Sequence, residues 1–142
     1  MQGNMVTSLF RSAHRAIKSG RVDTLRQLLD NGLEPNTSNK LGWTLLMLAA
    51  LQGDVPCGRL LLDRAADPNT TNRFADTPLA LAVNKGHVRF ASLLIDAGAR
   101  TNSLPPFDEL RASLLQSSGL PTKQVDSIIQ DLQKLLKMGH IG

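Results

Sequence analysis

The sequence predicts an all-α solenoid, a row of similar two-helix units stacked on one another and closed by a helical cap at the C-terminal end. Three observations carry this prediction. The chain repeats itself: Gly20, Gly53, Gly86 and Gly119 recur with a period of 33, and so do Val22, Val55 and Val88, Leu28, Leu61 and Leu94, and Ala16, Ala49 and Ala82. Within each copy the apolar residues recur at helical spacing rather than in alternation. Between the helical stretches lie turn formers such as Pro35, Asn36, Ser38 and Asn39. A unit of this size cannot bury its apolar face alone, so a fixed period means that each unit takes part of its core from its neighbours.

Taken in order, residues 1–7 are expected to form a short leader. Residues 8–19 follow as a helix whose stripe is Leu9, Ala13, Ala16 and Ile17. Arg11, Arg15 and Lys18 share another face. A terminal unit needs a polar outer surface, and the same stripe would also suit an acidic partner. Gly20 stops this helix, and a second spans 22–31 with Val22, Leu25, Leu28 and Leu29 inward. The next unit has helices at 44–52 and 55–64. The first of these, Leu45 to Leu51, is apolar on nearly every side, the mark of a helix buried between neighbours. Gly58 lies inside the second helix, at a cost of about 1 kcal/mol relative to alanine, and close packing against a neighbouring helix is the plain expectation for it. A third unit has helices at 77–85 and 88–97.

After Pro105 and Pro106 the pattern degenerates. Residues 107–117 form one more first helix, Gly119 keeps the phase, and Pro121-Thr122 restart a helix. Its Val125, Ile128, Ile129, Leu132, Leu135 and Leu136 line one face. That face is expected to cover the open end of the stack. The predicted organisation is one domain, 1–142, with repeats at about 8–40, 41–73 and 74–106 and the cap at 107–142.

The two best copies contain Thr77-Pro78-Leu79-Ala80-Leu81-Ala82, Gly86-His87, Leu94-Ile95, Gly98-Ala99 and Asn102, and Thr44-Leu45-Leu46-Met47-Leu48-Ala49-Ala50, Gly53, Leu61-Leu62 and Asn69. In these residues the chain resembles the ankyrin-repeat family, over residues 8–107. The signature histidine slot holds His14, Met47 and Ala80, and the signature proline is replaced by Leu45 in the middle copy. The resemblance implies hairpins protruding between units, less rigid here without that histidine. It also implies a structural role for His87 at a helix start.

Composition excludes several classes of function. The net charge is +4 from 16 basic and 12 acidic residues. No apolar run is long enough for a membrane span, no secretory signal is recognisable at the N-terminus, and the lone Cys57 excludes an intrachain disulfide. An intracellular place, in the cytoplasm or nucleus, is the expectation. His14, His87 and His140 are scattered, without metal-like spacing to carboxylates or to Cys57. Phosphate loops, nucleophile motifs and paired carboxylates do not occur. Asp30, Asp63 and Asp96 recur because the fold recurs. The chain is therefore expected to be non-enzymatic, to carry no cofactor or metal, and to act as a single copy.

The resemblance implies a binding strip along hairpin tips and inner helices. Its tip slots are Lys40, Leu41 and Trp43, then Arg73, Phe74 and Asp76, with Phe107 at the last. Its slots late in the first helices include Leu51 and Gln52, then Asn84 and Lys85. Leu41, Trp43, Leu51, Phe74 and Phe107 are apolar where a solvated strip would be polar, with Lys40, Arg73 and Lys85 as a rim. Leu41, Phe74 and Phe107 share one slot, and packing of hairpin on hairpin would account for them equally well. Trp43, the only tryptophan, has no aromatic equivalent in its slot and is the expected anchor. The expected partner is another protein, which this strip would serve as an adaptor or inhibitor. The alternatives are nucleic acid, through Arg11, Arg15, Lys18, Arg21 and Arg26, and a spacer role within a larger protein. Against nucleic acid, these basic residues lack interleaved stacking aromatics. The resemblance also marks Asn36, Asn69 and Asn102, each eight positions after a leucine, as possible sites of asparaginyl hydroxylation, beside their ordinary role of bonding the turn.

Overall fold

The computed structural model describes the backbone of residues 2–102 and 104–141, and the side chains of residues 7–102 and 104–137. Among these residues there are eight helices: α1 (Gln2–Lys18), α2 (Val22–Asp30), α3 (Leu45–Gln52), α4 (Val55–Asp63), α5 (Pro78–Asn84), α6 (Val88–Asp96), α7 (Phe107–Ser117) and α8 (Thr122–Ile141). The odd-numbered helices stack side by side in an inner layer and the even-numbered ones in an outer layer. Each also packs against the other helix of its own pair. Among the described residues no strand forms, and Ser38 and Thr44 make an isolated antiparallel bridge across the first hairpin.

Helix α3 is the centre of the inner layer. Leu45, Leu46, Met47, Leu48, Ala49 and Ala50 are all buried, because α1 and α5 cover its two sides and α4 its back. This is why its sequence carries no polar face. The outer helices are amphipathic instead: Leu25 and Leu29 of α2, Cys57, Leu60 and Leu61 of α4, and Phe90, Ala91 and Leu94 of α6 point inward. At the far end, Val125, Ile129 and Leu132 of α8 are buried, and α8 lies across α6 and α7. Arg111 of α7 and Asp126 of α8 pair at 2.6 Å.

Local chemistry sets the helix ends. The Met47 N–H donates to Thr44 Oγ1 (3.2 Å) and the Ala80 N–H to Thr77 Oγ1 (3.1 Å), so the threonine of each signature is an N-cap. Asp54 caps α4 by accepting from the Cys57 N–H at 3.2 Å. Gly53 closes α3 at φ 69°, in the left-handed region.

Two expectations are corrected. The stretch expected as a short leader is continuous with the first helix, residues 2–7 being the first turns of α1. That stretch contains no proline and only one glycine, so nothing in it halts a helix running back from residue 8. His87 stands at the N-cap of α6, but its side chain does not cap that helix. The ring reaches back one unit, with Nε2 3.1 Å from the Leu51 carbonyl at the end of α3. It lies over Gly53, where an added Cβ would stand 2.6 Å from His87 Nδ1. His87 therefore braces the junction between the second and third units.

Gly58 has a direct explanation. A Cβ there would lie 2.5 Å from Cε2 and 2.6 Å from Cζ of Phe90, a ring with no solvent exposure. The missing side chain is the space that Phe90 fills. The same positions one unit earlier hold Leu25 and Cys57, both fully buried. The two corresponding pairs of positions thus each combine a large and a small residue, with the sizes exchanged between them.

Gly58→Ala should destabilise the protein by about 1–2 kcal/mol, the overpacking cost exceeding the gain in helix propensity. The same substitution should become stabilising in a Phe90→Leu background, where the ring no longer occupies the space. Chemical denaturation of the four proteins of this double-mutant cycle checks both signs.

Candidate functional site

The two complete hairpins are built alike around one asparagine each. Asn39 Oδ1 accepts from the N–H groups of Leu41 (3.0 Å) and Trp43 (3.0 Å), while its own N–H donates to the Trp43 carbonyl at 3.0 Å. Asn72, in the same slot one unit on, does likewise: its Oδ1 accepts from Phe74 (2.9 Å) and Asp76 (3.0 Å), and its N–H donates to the Asp76 carbonyl at 3.2 Å. Its Nδ2 also donates to Asp76 Oδ2 at 3.2 Å. Ala75 takes the left-handed conformation here (φ 63°) that Gly42 takes in the first hairpin (φ 84°). The bonds that the signature histidine would supply are absent, and the asparagine side chain holds each tip instead. The hairpins are also tied together, since the Arg73 N–H donates to the Leu41 carbonyl at 2.9 Å.

This construction holds Leu41 and Phe74 out at the tips, 45% and 61% exposed. The hairpins meet through backbone, leaving both side chains largely in solvent. Lys40 and Arg73 beside them are exposed as well. Trp43 sits at the base of its hairpin, half-buried against the core. Asp76 is half-buried and bonded to Asn72. Along the inner layer, Gln52 and Lys85 are exposed, while Leu51 and Asn84 are half-buried. Phe107 does not reach a tip: it opens α7 and packs against the core.

One part of the surface is not evident from the sequence. Thr7, Phe10, Arg11 and His14 of α1 face residues 37–41 of the first hairpin across an open groove of about 530 Å³. Phe10 forms buried floor (7% exposed), and its ring lies 6.5 Å from that of His14. A signal for it is present in the sequence, because positions 7, 10, 11 and 14 fall on one helix face. It becomes readable only once residues 2–7 are known to be helical.

The recurring asparagines divide into two kinds. Asn36 accepts from the Asp67 N–H (2.7 Å) and donates to the Ala65 carbonyl (3.4 Å). Asn69 accepts from the Arg100 N–H (2.8 Å) and donates to the Gly98 carbonyl (3.1 Å). Each thus clamps the loop one unit ahead. Asn102 is exposed and makes no such clamp among the described residues. Modification of Asn36 or Asn69 would have to open these bonds first.

Among the described residues the reactive side chains form no cluster that could hold a metal ion. Cys57 is fully buried. Burial, reinforced by the neighbouring Asp54 carboxylate, pushes its thiol up to about 12, so it stays protonated and inert. Among the described residues no helix is long and apolar enough to cross a membrane.

A family model described as ankyrin repeats in three copies matches residues 13–104. No curated protein matches the chain.

Two outcomes follow from this geometry. Asn69→Ala should cost about 1 kcal/mol, for two partly exposed bonds, whereas Asn102→Ala should fall within about 0.5 kcal/mol of wild type; denaturation midpoints compare them. Cys57 should resist thiol reagents in the native protein and react once unfolded. Because the folded thiol stays neutral while the unfolded one ionises from its ordinary value of 9.0, its contribution to stability is complete below that pH and is lost as pH rises toward about 12. The stability gap between wild type and Cys57→Ala should therefore narrow between about pH 8 and about pH 10.5.

Proposed function

This chain belongs to the ankyrin-repeat family, and from that premise we propose that it is a protein-binding module, an adaptor or inhibitor that grips its partner with the hairpin tips and the inner-helix face. Ankyrin repeats are generally protein–protein interaction modules. The observation that carries the reading for this chain is the presentation of Leu41 and Phe74. Two exposed apolar side chains stand on neighbouring tips whose backbones are already bonded by Asn39 and Asn72. Little conformational entropy remains to be lost there on binding, which favours affinity. Lys40, Arg73, Gln52 and Lys85 supply the polar rim around apolar contacts. Trp43, half-buried at the base of the first hairpin, belongs to the strip beside that tip.

The reading gives the reactive side chains no part. Cys57 is a packing residue, and His87 braces one unit on the next.

The double variant Leu41→Ser/Phe74→Ser should melt within about 2 °C of wild type, since exposed side chains contribute little to stability. It should nevertheless lose the partners that wild type retains in affinity capture. Leu120→Ser, which removes another exposed leucine (36%) from the loop before α8, serves as the control and should keep them. Equal capture by all three proteins would refute the assignment of the tips. Trp43→Ala should lower stability as well, by about 1–2 kcal/mol for a half-buried ring, and so is the less specific probe.

A further inference from the structure

Across the three repeats, the acidic residues of the helices all lie in the outer layer. The inner helices α1, α3 and α5 contain no aspartate or glutamate. The outer helices α2, α4 and α6 carry Asp23, Asp30, Asp63 and Asp96. Of the ion pairs among the described residues, Arg26 with Asp23 and Arg64 with Asp30 belong to the outer layer, and Arg111 with Asp126 joins α7 to α8. All three lie on the outer helices, the turn after α4, or the α7–α8 pair. Arg11 on α1 and Lys40 at the first tip take part in none of them, and both are exposed.

These two cations border the groove between α1 and the first hairpin. Its lining includes Leu41 as exposed apolar surface, Phe10 as the apolar floor and His14 at one edge, and it contains no acidic residue. Arg15 and Lys18 continue the positive charge along α1. A neutral apolar peptide would leave this positive field uncompensated. A polyanion without side chains would leave Phe10 and Leu41 unused. The ligand that satisfies both is a peptide segment with carboxylates around an apolar residue.

We propose that this groove takes an acidic segment of the partner protein, one bulky apolar side chain seating on Phe10 and Leu41 while its carboxylates meet Arg11 and Lys40. The proposal rests on the protein-binding reading above and adds to it the chemistry of the partner and a place beyond the tips. Both cations are solvent-exposed, so reversing their charge leaves the packing of α1 on α3 untouched. Salt should weaken the interaction, because exposed charges are screened over roughly 10 Å at moderate ionic strength.

The test is a selection from a random-peptide display library on the whole chain, followed by fluorescence anisotropy of the enriched peptides. The peptides should carry net negative charge with one or two bulky apolar residues. They should bind Arg11→Glu/Lys40→Glu about tenfold or more weakly than wild type. Substituting their apolar residue with serine should abolish binding. Enrichment of neutral or basic peptides, no enrichment, unchanged affinity for the charge-reversed variant, or tighter binding of a single-stranded oligonucleotide at the same groove would each overturn the proposal. Affinity capture separates this failure from that of the broader reading. If Arg11→Glu/Lys40→Glu keeps the partners that Leu41→Ser/Phe74→Ser loses, the tips bind protein and the acidic segment is wrong.

Discussion

Helix α3 cannot exist as it does unless something covers it on every side. Six consecutive residues, Leu45 to Ala50, are buried, and an eight-residue helix is too short to hold its shape in water by propensity alone. Its existence depends on α1, α4 and α5 packing around it, and those helices in turn take their own inner surfaces from it. The stack is therefore cooperative through its middle. Gly53, His87 and the asparagine clamps of Asn36 and Asn69 are the local means by which one unit fixes the position of the next.

That mutual dependence frees the opposite edge of each unit. Because the core is secured by the helices, the hairpins contribute to it chiefly through their bases, as Trp43 does. Their tips are left to carry exposed apolar groups on a fixed backbone. The two asparagines that organise the tips use short side chains to bond main-chain groups, and so Leu41 and Phe74 at the tips are left largely free of packing. The division of labour also bears on where the acidic residues lie. Outer-helix carboxylates such as Asp23 and Asp30 find cationic partners nearby, whereas Arg11 and Lys40 on the inner side face a groove lined without carboxylates.

Much of this is legible in the sequence, and what is not has physical causes. The fixed period and the helical stripes show the architecture, because each copy must solve the same packing problem. The all-apolar run Leu45–Leu51 announces the central helix for the same reason. The start of α1 is obscure because residues 2–7 carry neither a helix signal nor a breaker. Asn39 and Asn72 are visible as a pair, but which amides they bind depends on how the loop folds back. The exposure of Leu41 and Phe74, against the half-burial of Phe107 in the same slot, is set by whether a hairpin or a helix start occupies it. The groove beside Phe10 joins α1 to a hairpin on the far side of α2 in the chain, and Gly58 takes its meaning from Phe90 in the following unit. Neither relation is local.

The exchange of sizes between Leu25–Cys57 and Gly58–Phe90 has a bearing on how the chain finds its fold. Repeated units invite misassembly, because a helix pair can dock on the wrong neighbour with nearly the right shape. In this protein the units are not interchangeable. Were the third to dock on the first, the Phe90 ring would meet Leu25, and two large groups would compete for one space. Were a second unit to dock on a copy of itself, Cys57 would face Gly58 across a void. A large residue with its matching gap thus numbers the units in order. The fit of the Phe90 ring over Gly58, at a buried surface, favours the proper order of the second and third units.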